Sequence, residues 1–152
     1  MSVAFRRESD EEHLEPRFEL PIPPGPNLVT ARGLALIEEK VSALEAAIAA
    51  VPDAEAEKAL RRDLRYWHTR RATAMLTAPR RDGVVGFGSR VTYTLDGQER
   101  TVTLVGDDEA DPAAGLLAFS APIARALMGA EEGDLLGFGG QPDRLGVLGV
   151  EA

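Results

Sequence analysis

Cysteine is absent from the 152 residues, which excludes disulfides and thiolate metal sites and is compatible with a reducing compartment. Histidine is scarce too. His13 and His68 are the only two, neither has a partner at metal-ligand spacing, and no metal site or other cofactor is expected. No apolar run approaches the ~20 residues that cross a bilayer. The N-terminus, Met1-Ser2-Val3-Ala4-Phe5-Arg6-Arg7, continues into acids rather than an apolar stretch, so no secretory signal is expected and the expected location is cytoplasmic. Positive charge is also in the minority. A net charge of -8 argues against a general nucleic-acid coat protein, because phosphate binding needs clustered cations.

The average conceals an asymmetry. Of the 17 lysines and arginines, seven arginines lie between Arg61 and Arg81, where Asp63 is the only acid. Acids gather around Glu8 to Glu12, near Asp53 to Glu57, and in the C-terminal third. An acidic chain with one basic helical stretch suits a docked protein partner better than naked duplex.

Residues 1–27 read as a Pro-rich tail: Pro21, Pro23, Pro24 and Pro26 fix φ and remove amide donors. Thr30 then offers a hydroxyl to cap a helix. Leu34, Ile37, Val41, Leu44, Ile48 and Val51 follow at alternating spacings of three and four, an a/d stripe of the coiled-coil kind. Pro52-Asp53 stops this helix. A second is expected from near Ala54 to Met75 or Thr77, with Leu60, Leu64, Trp67 and Ala74 inward and Arg71 interrupting the stripe. Two such stripes joined by a short acidic turn predict an antiparallel helical hairpin over 28–79, with arms of about 21 residues, or ~32 Å.

After the break at Pro79 to Gly83 the period changes to two. Val85, Phe87, Val91, Tyr93 and Leu95 alternate up to Asp96-Gly97, a hairpin turn signal. Thr101 to Val105 form a second strand, and Leu135 to Phe138 and Leu145 to Val150 are closing strands. Residues 120 to 129 read as a short helix, with Ser120 a candidate cap, Pro122 in the first turn and Gly129 as the left-handed stop. The fold class is therefore α+β: a helical hairpin followed, over 84–152, by a small antiparallel sheet curled around one helix.

Two blocks carry a family resemblance. The run from Val105-Gly106-Asp107-Asp108-Glu109-Ala110-Asp111-Pro112 through Ala121-Pro122-Ile123-Ala124-Arg125-Ala126-Leu127-Met128-Gly129 to Glu132-Gly133-Asp134 resembles the C-terminal domain of the Gre (GreA/GreB) transcription elongation factors. Leu28-Val29-Thr30-Ala31-Arg32-Gly33-Leu34 is similar to the opening of that family's hairpin. The resemblance implies an FKBP-like C-terminal domain that docks at the secondary-channel rim of bacterial RNA polymerase, with Ser120, Pro122, Ile123 and Arg125 as candidate docking residues. It also implies a hairpin that enters the channel, where acids at the tip help hold Mg²⁺ for cleavage of backtracked RNA. Hard oxygen ligands suit that ion.

The chain departs from the family at the tip. A Gly-Asp-Leu-Lys-Glu-Asn-type motif on longer arms is replaced by Val51-Pro52-Asp53-Ala54-Glu55-Ala56-Glu57. Each missing turn costs ~5.4 Å of reach, so polymerase binding without strong transcript-cleavage stimulation is expected, and no independent enzyme activity. Asp53, Glu55 and Glu57 are either a functional tip contacting Mg²⁺ or polymerase, or acids capping a helix N-terminus. Arg61, Arg62 and Arg65 are either contacts to polymerase or nascent RNA, or a solvated face. Trp67 packs between the arms or stacks on a base. The acidic loop of Asp107, Asp108, Glu109 and Asp111 lacks the EF-hand pattern and reads as facing solvent or a basic partner. Gly86-Phe87-Gly88 is not followed by a phosphate-binding pattern. Two other functions remain open: an FKBP-like prolyl isomerase, or an interaction module for another protein such as a kinase regulator. Against the isomerase, residues 84–152 hold only Phe87, Tyr93, Phe119 and Phe138 as aromatics.

Overall fold

The computed structural model describes residues 20–51 and 53–152. Residues 1–19, with Phe18 and His13 of the expected tail, and Pro52 of the expected helix stop lie outside them. By its contacts the chain divides into two compact units.

Of the described residues, the first unit comprises 20–24, 37–51 and 53–72 and contains most of two helices, α1 (Ala31–Ala50) and α2 (Ala54–Thr73). Each has 20 residues, or ~30 Å of length. Ile37, Val41 and Leu64 are buried, whereas Leu44, Ile48, Leu60 and Trp67 are only half-buried. A two-helix hairpin has one covered stripe per arm, and its flanks stay open. Between the arms, the Lys40 ammonium lies 5.8 Å from the Trp67 ring centroid, and His68 Nε2 is 3.6 Å from Glu45 Oε2. The inward arginine is not Arg71, as the spacing suggested, but Arg70, which is 1% exposed. The inward step after Trp67 is three residues rather than four. Arg71 faces solvent.

The second unit comprises residues 25–36 and 73–152. Its larger sheet has the order β5 (Leu116–Ala118), β4 (Gln98–Val105), β3 (Arg90–Leu95), β7 (Gln141–Glu151), β6 (Leu135–Phe138). The sheet is mixed rather than wholly antiparallel, because β5 joins β4 in parallel. The short 3₁₀ turn Pro112–Ala114 between them carries the chain back to start β5 in the direction of β4. On one face Val91, Tyr93, Leu104, Leu145 and Val147 pack against Ala124 and Leu127 of α3 (Pro122–Leu127). Asp96 and Gly97 both have positive φ, 54° and 85°, as a two-residue turn between right-twisted strands requires. The first strand begins at Arg90, not near Val84, because residues 86–89 make a turn in which the Gly86 amide donates to the buried Ser89 Oγ at 3.0 Å.

One feature has no counterpart in the periodicity. Helix α2 ends at Thr73, and Met75–Leu76 (β2) pair in parallel with Leu28–Val29 (β1). Asn27 Nδ2 donates to Thr73 Oγ1 at 3.1 Å. Beside this pair runs the loop after β4, where a Cβ on Gly106 would lie 2.4 Å from the Leu28 carbonyl oxygen. Only glycine permits that approach.

Candidate functional site

At the hairpin tip the three expected acids have separate employments. Asp53 Oδ1 accepts from the Ala56 amide at 2.8 Å, which satisfies an orphan donor at the start of α2. Glu57 pairs with Arg61 one turn on at 2.8 Å, and Glu55 is exposed without a described partner. Among the described residues no three His, Asp or Glu side chains are placed to hold a metal ion. With one carboxylate capping a helix and another paired to an arginine, the donor set does not fit a shared Mg²⁺ site.

The basic stretch is likewise divided. Arg61 is committed to Glu57, Arg65 is exposed but engaged, and Arg62 is half-buried. Arg70 is buried and engaged, so it is no part of a cationic face.

Around α3, Ser120 is not the cap. Ala121 takes that position with no side-chain bond, while the Ser120 hydroxyl donates to Asp107 Oδ1. Pro122 sits at the helix start and Gly129 has φ 85°, as the turn chemistry requires. Pro122 and Arg125 are exposed, whereas Ile123 packs partly against the core. Of the four candidate docking residues, Ser120 is exposed as well, with its hydroxyl engaged by Asp107, so Pro122 and Arg125 are the exposed ones on the helix itself.

The acidic loop differs most from expectation. Glu109 does not face solvent; it is 7% exposed. Thr30 Oγ1 donates to its Oε1 at 2.6 Å and Arg32 Nη1 to its Oε2 at 2.9 Å. Thr30 Oγ1 also accepts from the Gly33 amide at 2.9 Å, the cap its position suggested. Gly33 fits because a Cβ there would stand 2.8 Å from the Glu109 carboxylate. Both family-like blocks contribute to this cluster, yet neither block alone signals that they meet.

A cleft of about 480 Å³ opens beside the sheet, with Tyr93 its one aromatic lining residue. The aromatic box an isomerase would need is not formed there.

Fold and site together define a helical hairpin joined to a small α+β domain. The C-terminal part can be placed more closely: residues 80–140 match the family described as "Transcription elongation factor, GreA/GreB, C-term". Among curated proteins, the chain is 50% identical over 56 residues to the transcription elongation factor GreA of Alkalilimnicola ehrlichii, covering 36% of this chain and 35% of that protein. It is 44% identical over 75 residues to GreA of Vibrio parahaemolyticus, covering 48% of each. The chain thus spans less than half the length of these curated relatives. The solved GreA/GreB factor of Nitrosomonas europaea aligns with 85% of this chain and 100% of its own, at 20% identity and a TM-score of 0.40.

Proposed function

We propose that this protein binds RNA polymerase through its C-terminal unit and regulates transcription elongation from the secondary channel, without strongly stimulating transcript cleavage. The observation that carries the reading is the match of residues 80–140 to the GreA/GreB C-terminal domain. Pro122 and Arg125, exposed on α3, are the docking residues it favours.

The absence of cleavage rests on the tip. Arms of ~30 Å end in acids of which one caps a helix and one is paired. Catalysis through a shared ion needs ligands within ~2.1 Å, whereas occupying a channel needs only a complementary surface. Any contact of Arg62 or Arg65 with nascent RNA is secondary to docking.

The test is RNA cleavage in backtracked elongation complexes of the cognate polymerase, with and without the full chain. No stimulation is expected, together with suppression of cleavage by an added GreA factor. Stimulation that disappears when Asp53, Glu55 and Glu57 become alanine would overturn the reading of the tip.

A further inference from the structure

Tyr93 and Arg100 stand directly opposite each other in the β3–β4 register, and both line the cleft of about 480 Å³. Tyr93 is 3% exposed, yet its hydroxyl has no hydrogen-bond partner among the described residues. Buried hydroxyls nearly always have one, since leaving the group dry costs free energy. Arg100 likewise has no ion-pair or hydrogen-bond partner among the described residues, although the chain carries a net charge of -8. Val102, Leu117, Ile123 and Pro112 supply apolar wall, and no acid lines the cleft. Burial pushes the Tyr93 phenol pKa up, and the nearby Arg100 cation opposes that rise, so the hydroxyl stays a donor at neutral pH.

We propose that this cleft is a binding site for a compact carboxylate with an apolar body, the carboxylate accepting from the Tyr93 hydroxyl and the Arg100 guanidinium while the body lies along Val102, Leu117 and Ile123. Volume and lining suit a small ligand, for such sites are concave and mostly apolar, with a few convergent polar groups. A guanidinium is the side chain best matched to a carboxylate, because its planar fork donates to both oxygens. The same chemistry is offered by a free organic acid and by the C-terminus of an apolar peptide.

Titration of the full chain with 4-phenylbutyrate, its primary amide, Ala-Ala-Leu and amidated Ala-Ala-Leu, followed by backbone amide NMR, tests the assignment. Saturable shifts at Thr101, Val102, Leu117 and Ile123 are expected with at least one carboxylate, and at least tenfold weaker binding with its amide. Saturation by phenylbutyrate alone identifies a small acid, and tighter binding of the free tripeptide identifies a chain terminus. Arg100→Gln is expected to weaken the carboxylate at least tenfold and Tyr93→Phe about threefold, with amide dispersion unchanged. If Tyr93→Phe disturbs the core, Arg100→Gln at its exposed position still decides. No saturable shift with either carboxylate, equal binding of acid and amide, or unchanged affinity in Arg100→Gln would each overturn the proposal.

Discussion

Replacing Glu109 by alanine should destabilise the C-terminal unit by about 2 kcal/mol, a sum that can be built from its contacts. The carboxylate is 7% exposed and accepts from the Thr30 hydroxyl at 2.6 Å; a charge-assisted bond of that kind contributes ~1.5–3 kcal/mol. Its second partner, Arg32, has a side chain 66% exposed, so that pair adds only ~0–1 kcal/mol. Removing the carboxylate also relieves its own desolvation, which keeps the net loss near the middle of the range. For a chain of this length each kcal/mol moves Tm by ~2–4 °C, and Glu109→Ala should lower it by about 4–8 °C in calorimetry. Glu109→Gln retains an acceptor for Thr30 and should lose roughly half as much. Thr30→Ala loses the same bond and the cap on Gly33, or about 2 kcal/mol. Because the two residues share one bond, the double variant should fall short of the summed losses by at least ~1 kcal/mol. The exposed Glu99→Ala is the control, within ~0.5 kcal/mol of the parent. A loss below ~0.5 kcal/mol in Glu109→Ala, or strict additivity in the cycle, would mean that the carboxylate is not held by Thr30.

Three further outcomes follow from the geometry. Gly106→Ala should cost ~2 kcal/mol or more in thermal unfolding, since its Cβ would stand 2.4 Å from a backbone carbonyl that cannot rotate away; Gly25→Ala, with nothing within 4 Å but φ 85°, should cost about 1 kcal/mol through strain alone. Trp67→Ala should destabilise the hairpin by ~2 kcal/mol rather than the 3–5 of a fully buried indole, because Trp67 is half-buried, and a loss under ~0.5 kcal/mol in denaturant melts would mean that the ring packs on nothing. Asp96 accepts two bonds from Arg144, at 2.8 and 3.0 Å, and those bonds hold its carboxyl below the ordinary aspartate pKa. A depressed acid stabilises the fold above its unfolded pKa, and the contribution is lost as pH falls through the lower folded value. A carboxyl-carbon NMR titration should therefore show Asp96 moving up in Arg144→Gln, and no movement would remove the pair as its cause.

What could be read from the residues divides along physical lines. Apolar stripes at three-four spacing and the Asp96-Gly97 turn are local signals, and the two helices and the first hairpin of the sheet follow them. Strands β1 and β2 are two residues long, too short to show a period, and Gly106 lies against Leu28 with no room for a Cβ. Glu109 looked solvated because neighbouring acids resemble a surface loop; its burial depends on Thr30 and Arg32, some eighty residues earlier. Arg70 and Arg71 are adjacent, and a drift of one position decides which is covered. At the tip, composition showed three acids, but only geometry separates the cap from the ion pair.

Docking on polymerase is tested by equilibrium binding of the full chain to core RNA polymerase, for the parent and for Pro122→Ala and Arg125→Glu. Both residues are exposed, so the variants should stay within ~0.5 kcal/mol of the parent and keep its Tm within ~2 °C, each kcal/mol being worth ~2–4 °C here. Saturable binding by the parent and at least tenfold weakening in Arg125→Glu are expected. Absence of saturable binding by the folded parent, or affinity unchanged in both variants, would contradict docking through this surface.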